Sequence, residues 1–289
     1  MSTARPRRDL RTFLSFVKFE HTLFALPFAY AGMVLAARGW PGIATFGWVT
    51  LAMVGARTAA MAVNRVVDAA IDARNPRTAD REIPTGRLSR RDGVALAIVG
   101  FALLITAGWA LNPLTAALLP VAAAFLILYP WTKRVTWLCH AWLGVTIGAA
   151  AAGGAIAVTG RFDLEAVLLW IAVGAWIAGF DVIYALLDLE FDREHGVHSV
   201  PARFGVRRAV TISALAHGVA AAALLALGAV SPLGWPYLAV VLLGVVPLLT
   251  AQQLLVRRRG AAAALRAFNA NLWVSALVLI GVALDLVRI

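Results

Sequence analysis

Nine charge-poor apolar runs recur along the chain, at residues 22–38, 43–67, 93–111, 114–131, 137–158, 164–188, 209–230, 233–256 and 268–287. Crossing the hydrocarbon core of a bilayer takes about 20 apolar residues in a helix. A segment inside lipid must also satisfy its own backbone, so helices are the default. The runs therefore predict an all-α polytopic membrane protein with nine transmembrane helices. Composition agrees: 61% of the 289 residues are hydrophobic and only 14% are charged, where soluble domains carry about 25%. That excludes a disordered chain and a soluble enzyme with a solvated surface. Asn112–Pro113 and Ser231–Pro232 mark tight turns between neighbouring runs. The single cysteine, Cys139, excludes a disulfide framework, and Cys and His are too few for a zinc site. No small-residue cleavage site follows the basic start, so the first run is expected to serve as its own signal.

Charge sets the expected orientation. Of the 26 Lys and Arg, all but Arg38, Arg57, Arg161 and Arg288 fall in residues 1–18, at the end of the second run (Arg65) or in the connections after even-numbered runs. By the positive-inside rule these face the cytoplasm. Residues 1–18 read as a basic cytoplasmic segment, and 1–289 as one integral-membrane domain. The net charge of +11 is then topology and contact with anionic lipid; neither nucleic acid nor an obligate protein partner is called for.

The acids are the informative residues. Ten of the 15 Asp and Glu lie in or beside two cytoplasmic connections. The first cluster runs from Asn64 through Asp68 and Asp72, and the second from Asp181 and Tyr184 through Asp188 and Asp192. Asp68/Asp72 and Asp188/Asp192 are i,i+4 pairs, which on a helix share one face and repel. Two such pairs at one membrane edge imply a cation holding them. Carboxylates and an amide oxygen suit Mg²⁺ rather than zinc or copper, and Mg²⁺ commonly takes its remaining ligands from substrate phosphates. Arg77, Arg81, Lys133 and Arg134 add phosphate donors. The constellation reads as a diphosphate clamp. Both clusters follow the second run of a four-run set, so the expected architecture is two four-helix halves plus one helix, around a central cavity open to the cytoplasm. If continuous, the helix over 164–192 reaches past the hydrocarbon core and carries its carboxylates to that mouth.

At these residues the sequence resembles the intramembrane aromatic prenyltransferases of the UbiA superfamily. Asn64, Asp68 and Asp72 match the first aspartate motif, and Asp181, Tyr184, Asp188 and Asp192 match the second. Arg77, Thr78, Arg81, Pro84 and Gly86 match a downstream R-T-x-x-R-x-x-P-x-G segment. Tyr129, Pro130, Lys133 and Arg134 match a further one. Arg65 departs from the pattern, standing where the family carries Asp; it either turns outward or contacts phosphate.

The resemblance implies Mg²⁺-dependent transfer from an allylic polyprenyl diphosphate to an aromatic acid such as 4-hydroxybenzoate, in ubiquinone synthesis. A naphthoate in menaquinone synthesis, or another family acceptor such as haem, stands as the alternative. Asp68, Asp72, Asp188 and Asp192 would hold the metal. Asn64, Arg77, Arg81 and Lys133 would bind the diphosphate, and Lys18 would reach either it or lipid phosphate. Tyr129 and Tyr184 would orient the diphosphate or face the allylic cation. Asp181, or the leaving diphosphate, would take the ring proton. Arg57 lies inside a span, where a charge costs about 2.5–3.5 kcal/mol on insertion scales and faces an interior partner. It sits two turns before Asn64 on the same face, at an offset where the family anchors an acceptor carboxylate. His195 and His198 read as loop histidines, and His21, His140 and His217 as structural. Gly144, Gly148 and Ala152 form a helix-packing row. The rival from another class is a transporter, but transporters gather ionisable residues near the midplane, whereas these acids sit at one edge.

Overall fold

The computed structural model describes residues 10–18 and 22–286. Arg5, Arg7, Arg8, His21 and Arg288 lie outside them. Every regular element among the described residues is helical, with no strand. A short α1 (Leu10–Phe16) precedes α2 (Thr22–Ala37), α3 (Ile43–Asp72), α4 (Arg90–Leu111), α5 (Pro113–Thr132), α6 (Cys139–Thr159) and α7 (Leu164–Tyr184). Then follow α8 (Leu189–Glu194), α9 (Val200–Val230), α10 (Trp235–Val240), α11 (Val246–Arg259) and α12 (Ala264–Leu286).

Seven stretches are long and apolar enough to cross a membrane by length and composition, against the nine expected. The difference has two sources. The apolar part of α2, Ala25–Ala37, is short, and 235–286 counts as one stretch although a 3₁₀ turn at Gly260–Ala263 divides α11 from α12. Within 164–194 the expected regular helix is interrupted by a 3₁₀ turn at Ala185–Asp188. Asp188 ends that turn with non-helical φ and ψ of −109° and 7°, and Asp192 lies in α8 just beyond it.

The helix ends follow local chemistry. Asn112 caps α5 through a reciprocal box with Thr115, and Pro113 fills the first turn where no N–H is needed. Ser89 and Asp92 do the same for α4. Asp285, near the end of α12, accepts from the Gly234 and Tyr237 amides at 3.0 Å each and so caps α10 from outside.

Packing depends on small residues. The row Gly144–Gly148 lies on α7: a Cβ at Gly148 would stand 2.7 Å from the Gly174 amide nitrogen and 2.8 Å from the Trp170 carbonyl. α3 and α4 approach equally closely, a Cβ at Gly55 falling 2.6 Å from the Leu104 nitrogen. The largest core gathers Phe28, Trp176, Phe180, Leu227 and Tyr237 between α2, α7, α9 and α10. Its polar atoms are satisfied inside it, Trp176 Nε1 donating to Asn271 Oδ1 at 2.8 Å and the Tyr237 hydroxyl to the Leu224 carbonyl at 3.0 Å.

Because α7 backbone, which cannot yield, faces Gly148, Gly148→Leu is expected to destabilise the protein by about 1–3 kcal/mol. Gly153→Ala, which meets nothing within 4 Å, should leave the thermal midpoint in detergent unchanged.

Candidate active site

The last two turns of α3 bury Asp68 and Asp72, at 0% and 4% exposure, and buried carboxylates need cationic or hydrogen-bonding partners. Asp68 receives Lys133 Nζ at 2.5 Å and Asn64 Nδ2 at 2.9 Å, both on Oδ2. Arg134 stands 3.0 Å from Oδ1, but its guanidinium donates instead to the Val67 and Pro130 carbonyls. Asp68 Oδ1 is therefore a buried carboxylate oxygen that accepts no hydrogen bond. Asp72 takes Arg81 Nη1 on both oxygens, at 2.7 and 2.8 Å.

The connection between α3 and α4 carries this cluster across to the second. Thr78 Oγ1 donates to the Asp72 carbonyl and turns the chain out of α3, and Gly86 takes a left-handed φ of 73°, open to glycine at little cost. Arg77 then forks onto Asp188, Nε to Oδ1 at 2.8 Å and Nη2 to Oδ2 at 2.5 Å, while Asn75 donates to Oδ1 at 2.8 Å. The same guanidinium donates to the Tyr184 hydroxyl at 3.0 Å and lies 5.1 Å from its ring centre. Burial works against the charge of Arg77, and the bonds to Asp188 more than reverse this, so its pKa stands above the ordinary arginine value.

Asp192 has a different partner, Ser199 Oγ at 2.8 Å, the residue that also caps α9. Asp181 meets His140 Nδ1 at 2.7 Å. Tyr129, half-buried at the end of α5, lies among the charges of Asp181, Asp68 and Arg57. Arg57, also half-buried, is about three turns before Asp68 on α3. Lys18 follows α1 with a left-handed φ of 50°. Arg65 does not turn outward: it is buried, with Nε donating to the Phe16 carbonyl of α1. Sequence reasoning passed over Asn75 and Ser199, and left His140 as a structural residue; each sits in a connection or a helix end with no spacing pattern to reveal it.

The metal set expected from the sequence does not gather into one group. Among the described residues no three of His, Cys, Asp and Glu converge as a metal site requires, because each acid is held separately, Asp68, Asp72 and Asp188 by basic side chains. The donor chemistry nevertheless fits a hard divalent cation, and Asp68 Oδ1 is an oxygen with its acceptor capacity unused. Two grooves, of about 260 Å³ beside α6 and α7 and about 520 Å³ between α9 and α11, lie away from the aspartates.

The UbiA prenyltransferase family model matches residues 25–275. The chain belongs to the UbiA prenyltransferase family. It is a membrane-embedded prenyltransferase, and the transporter alternative falls with that. A 4-hydroxybenzoate octaprenyltransferase of Alkalilimnicola ehrlichii is 34% identical over 261 residues, 88% of this chain and 86% of that one. The apo structure of a UbiA homologue from Aeropyrum pernix superposes with a TM-score of 0.84 at 34% identity, over 92% of this chain and 98% of that one. A homologue from Archaeoglobus fulgidus, solved with GPP and Mg²⁺, shares the fold at a TM-score of 0.68 and 17% identity, over 96% and 100% of the two chains.

Removing Lys133 strands a carboxylate whose side chain is 1% exposed. Breaking a buried pair costs about 3–5 kcal/mol, and here Asn64 and Arg134 remain to soften the loss. Lys133→Met is therefore expected to destabilise by about 1–3 kcal/mol. Adding Asp68→Asn should recover most of that; strictly additive losses in the double variant would contradict the pairing.

Proposed function

We propose that this protein transfers a polyprenyl group from an allylic polyprenyl diphosphate to an aromatic acid of the 4-hydroxybenzoate type, in respiratory quinone synthesis. The observation that carries the reading is the bridge of Asn75 and Arg77 to Asp188, more than 110 residues away. It draws the two aspartate clusters to one end of the molecule. The name of the Alkalilimnicola relative supports the acceptor, and the GPP and Mg²⁺ held by the Archaeoglobus homologue support the donor and the ion.

In this reading the chain is a single domain over 1–289 with nine crossings, α2 and the two arms of 235–286 each counting as one. It lies in the cell (inner) membrane, with a central cavity opening to the cytoplasm. Asp68, Asp72, Asp188 and Asp192 would hold Mg²⁺, which when bound supplies positive charge to the diphosphate oxygens. Lys133, Arg77 and Arg81 bind the diphosphate together with Asn64, and Lys18 adds a further cation at the same edge. These fixed charges offset the negative charge that develops as the C1–O bond breaks and its electron pair leaves with diphosphate. Tyr129 and Tyr184 face the allylic cation. Arg57 forks onto the acceptor carboxylate, which aims the ring at C1 of the prenyl chain. The ring carbon bonds to C1, and Asp181 takes the displaced ring proton, restoring aromaticity. Helix walls keep out the water that would quench the cation to an alcohol.

Membranes containing the protein, given Mg²⁺ and geranyl or farnesyl diphosphate with hydroxybenzoate and naphthoate acceptors, should yield prenylated hydroxybenzoate by mass spectrometry. Product from a naphthoate alone would overturn the acceptor. Arg57→Ala loses a charge-assisted pair worth roughly 1.5–3 kcal/mol, about ten- to a hundred-fold in kcat/KM for the acceptor. Its donor KM should not move, and Arg57→Lys should recover only part. A raised donor KM with an unchanged acceptor KM would assign Arg57 to the diphosphate instead.

Orientation is tested by labelling. Cys139 is buried, so cysteines introduced at exposed Asp80 and Arg161 report on their own. Position 80 is expected to react only from the cytoplasmic side and position 161 only from the opposite one.

A further inference from the structure

His140 is 5% exposed and sits one residue into α6, outside both aspartate motifs. Its two ring nitrogens have different partners. The Val200 amide, in the first turn of α9, donates to Nε2 at 3.2 Å. A backbone N–H can only donate, so Nε2 carries the lone pair and the proton resides on Nδ1. Nδ1–H then donates to Asp181 Oδ2 at 2.7 Å. Val200 N–H is one of the first-turn amides that a helix leaves without an internal acceptor, so α9 fixes the histidine tautomer at no cost to its own ladder.

The Asp181 carboxylate has no other hydrogen bond among the described residues, and its side chain is 26% exposed, so Oδ1 remains open. The same tip of α9 touches the rest of the site. Ser199 Oγ donates to Asp192, and the His198 amide donates at 2.7 Å to the carbonyl of Lys133, whose ammonium holds Asp68.

We propose that His140 is a positioning residue for proton removal: it donates Nδ1–H to Asp181 Oδ2, anchored through Nε2 on the head of α9, and aims Oδ1 at the ring. This rests on the prenyl transfer proposed above. After the C1–ring bond forms, the ring C–H bond breaks, its electron pair returns to the ring, and the proton goes to Asp181 Oδ1. The histidine stays neutral and keeps its proton throughout. Its contribution is to hold one oxygen of the carboxylate so that the other is free and oriented.

The test uses 4-hydroxybenzoate deuterated at the ring positions beside the hydroxyl, with geranyl diphosphate and Mg²⁺. His140→Leu should lower kcat roughly ten- to a hundred-fold with the donor KM unchanged, and a primary isotope effect should appear because proton loss has become slow. His140→Asn, whose amide nitrogen falls near the Nδ1 position, should recover much of kcat and shrink the isotope effect. A packing role alone would lower activity without an isotope effect and would not distinguish Leu from Asn. A second readout needs no acceptor: ¹⁵N NMR of labelled histidine should show His140 protonated at Nδ1, with that resonance moving in Asp181→Asn. A wild-type kcat in His140→Leu, or an Nε2–H tautomer, would overturn the proposal. Undiminished turnover in Asp181→Asn would overturn the base itself. Impaired Asp181→Asn beside an unaffected His140→Leu would overturn the positioning role alone.

Discussion

Asp68 is a carboxylate with no exposed surface at the end of a membrane helix, and everything around it follows from the need to pair that charge. Taking an ion out of water costs several kcal/mol after relaxation. The return comes from Lys133 and Asn64 on one oxygen and from the nearby guanidinium of Arg134. Lys133 ends α5, so this pair draws α5 onto α3 at the aspartate end. Arg77 and Asn75 draw the tail of α7 onto the connection after α3 in the same way. The site is thus a set of carboxylates contributed by both halves, with cations already beside Asp68, Asp72 and Asp188. Such an arrangement suits a diphosphate, which brings negative charge of its own and needs cations set in place in advance.

Much of this was legible in the chain, because lipid permits so few solutions. The helices appear within a few residues of where the apolar runs end, since charges, proline and capping residues stop them. Asp68 and Asp72 stood out because a regular helix carries them, and Arg77, Arg81 and Lys133 because a diphosphate held at the acids calls for phosphate donors around them. The glycine row of α6 was legible for a related reason: only small residues let two backbones meet as closely as Gly148 and Gly174 do.

Where regular geometry fails, the sequence stops informing. Nothing in the residues Ala185–Asp188 announces a 3₁₀ turn, and around that break Asp188 meets Arg77 while Asp192 meets Ser199. The nine apolar runs correspond to seven stretches that cross by length and composition, because the apolar part of α2 is short and 235–286 runs as one stretch through the turn at Gly260–Ala263. Of the two positions the sequence left open for Arg65, the outward one is excluded, since its guanidinium is buried against the Phe16 carbonyl. His140 had no pattern at all. Its partners, Asp181 and the Val200 amide, are 41 and 60 residues away, and only the packing of α6, α7 and the head of α9 brings them together.

The central claim is that acids from both halves serve one metal–diphosphate site. Mn²⁺ in place of Mg²⁺, read by electron–nuclear double resonance with geranyl diphosphate bound, tests it most directly. Phosphorus coupling to Mn²⁺ should be present in the wild-type protein and lost or strongly reduced in Asp68→Asn and in Asp188→Asn alike. Coupling that survives unchanged in either variant would mean that one half alone holds the ion, and would contradict the shared site.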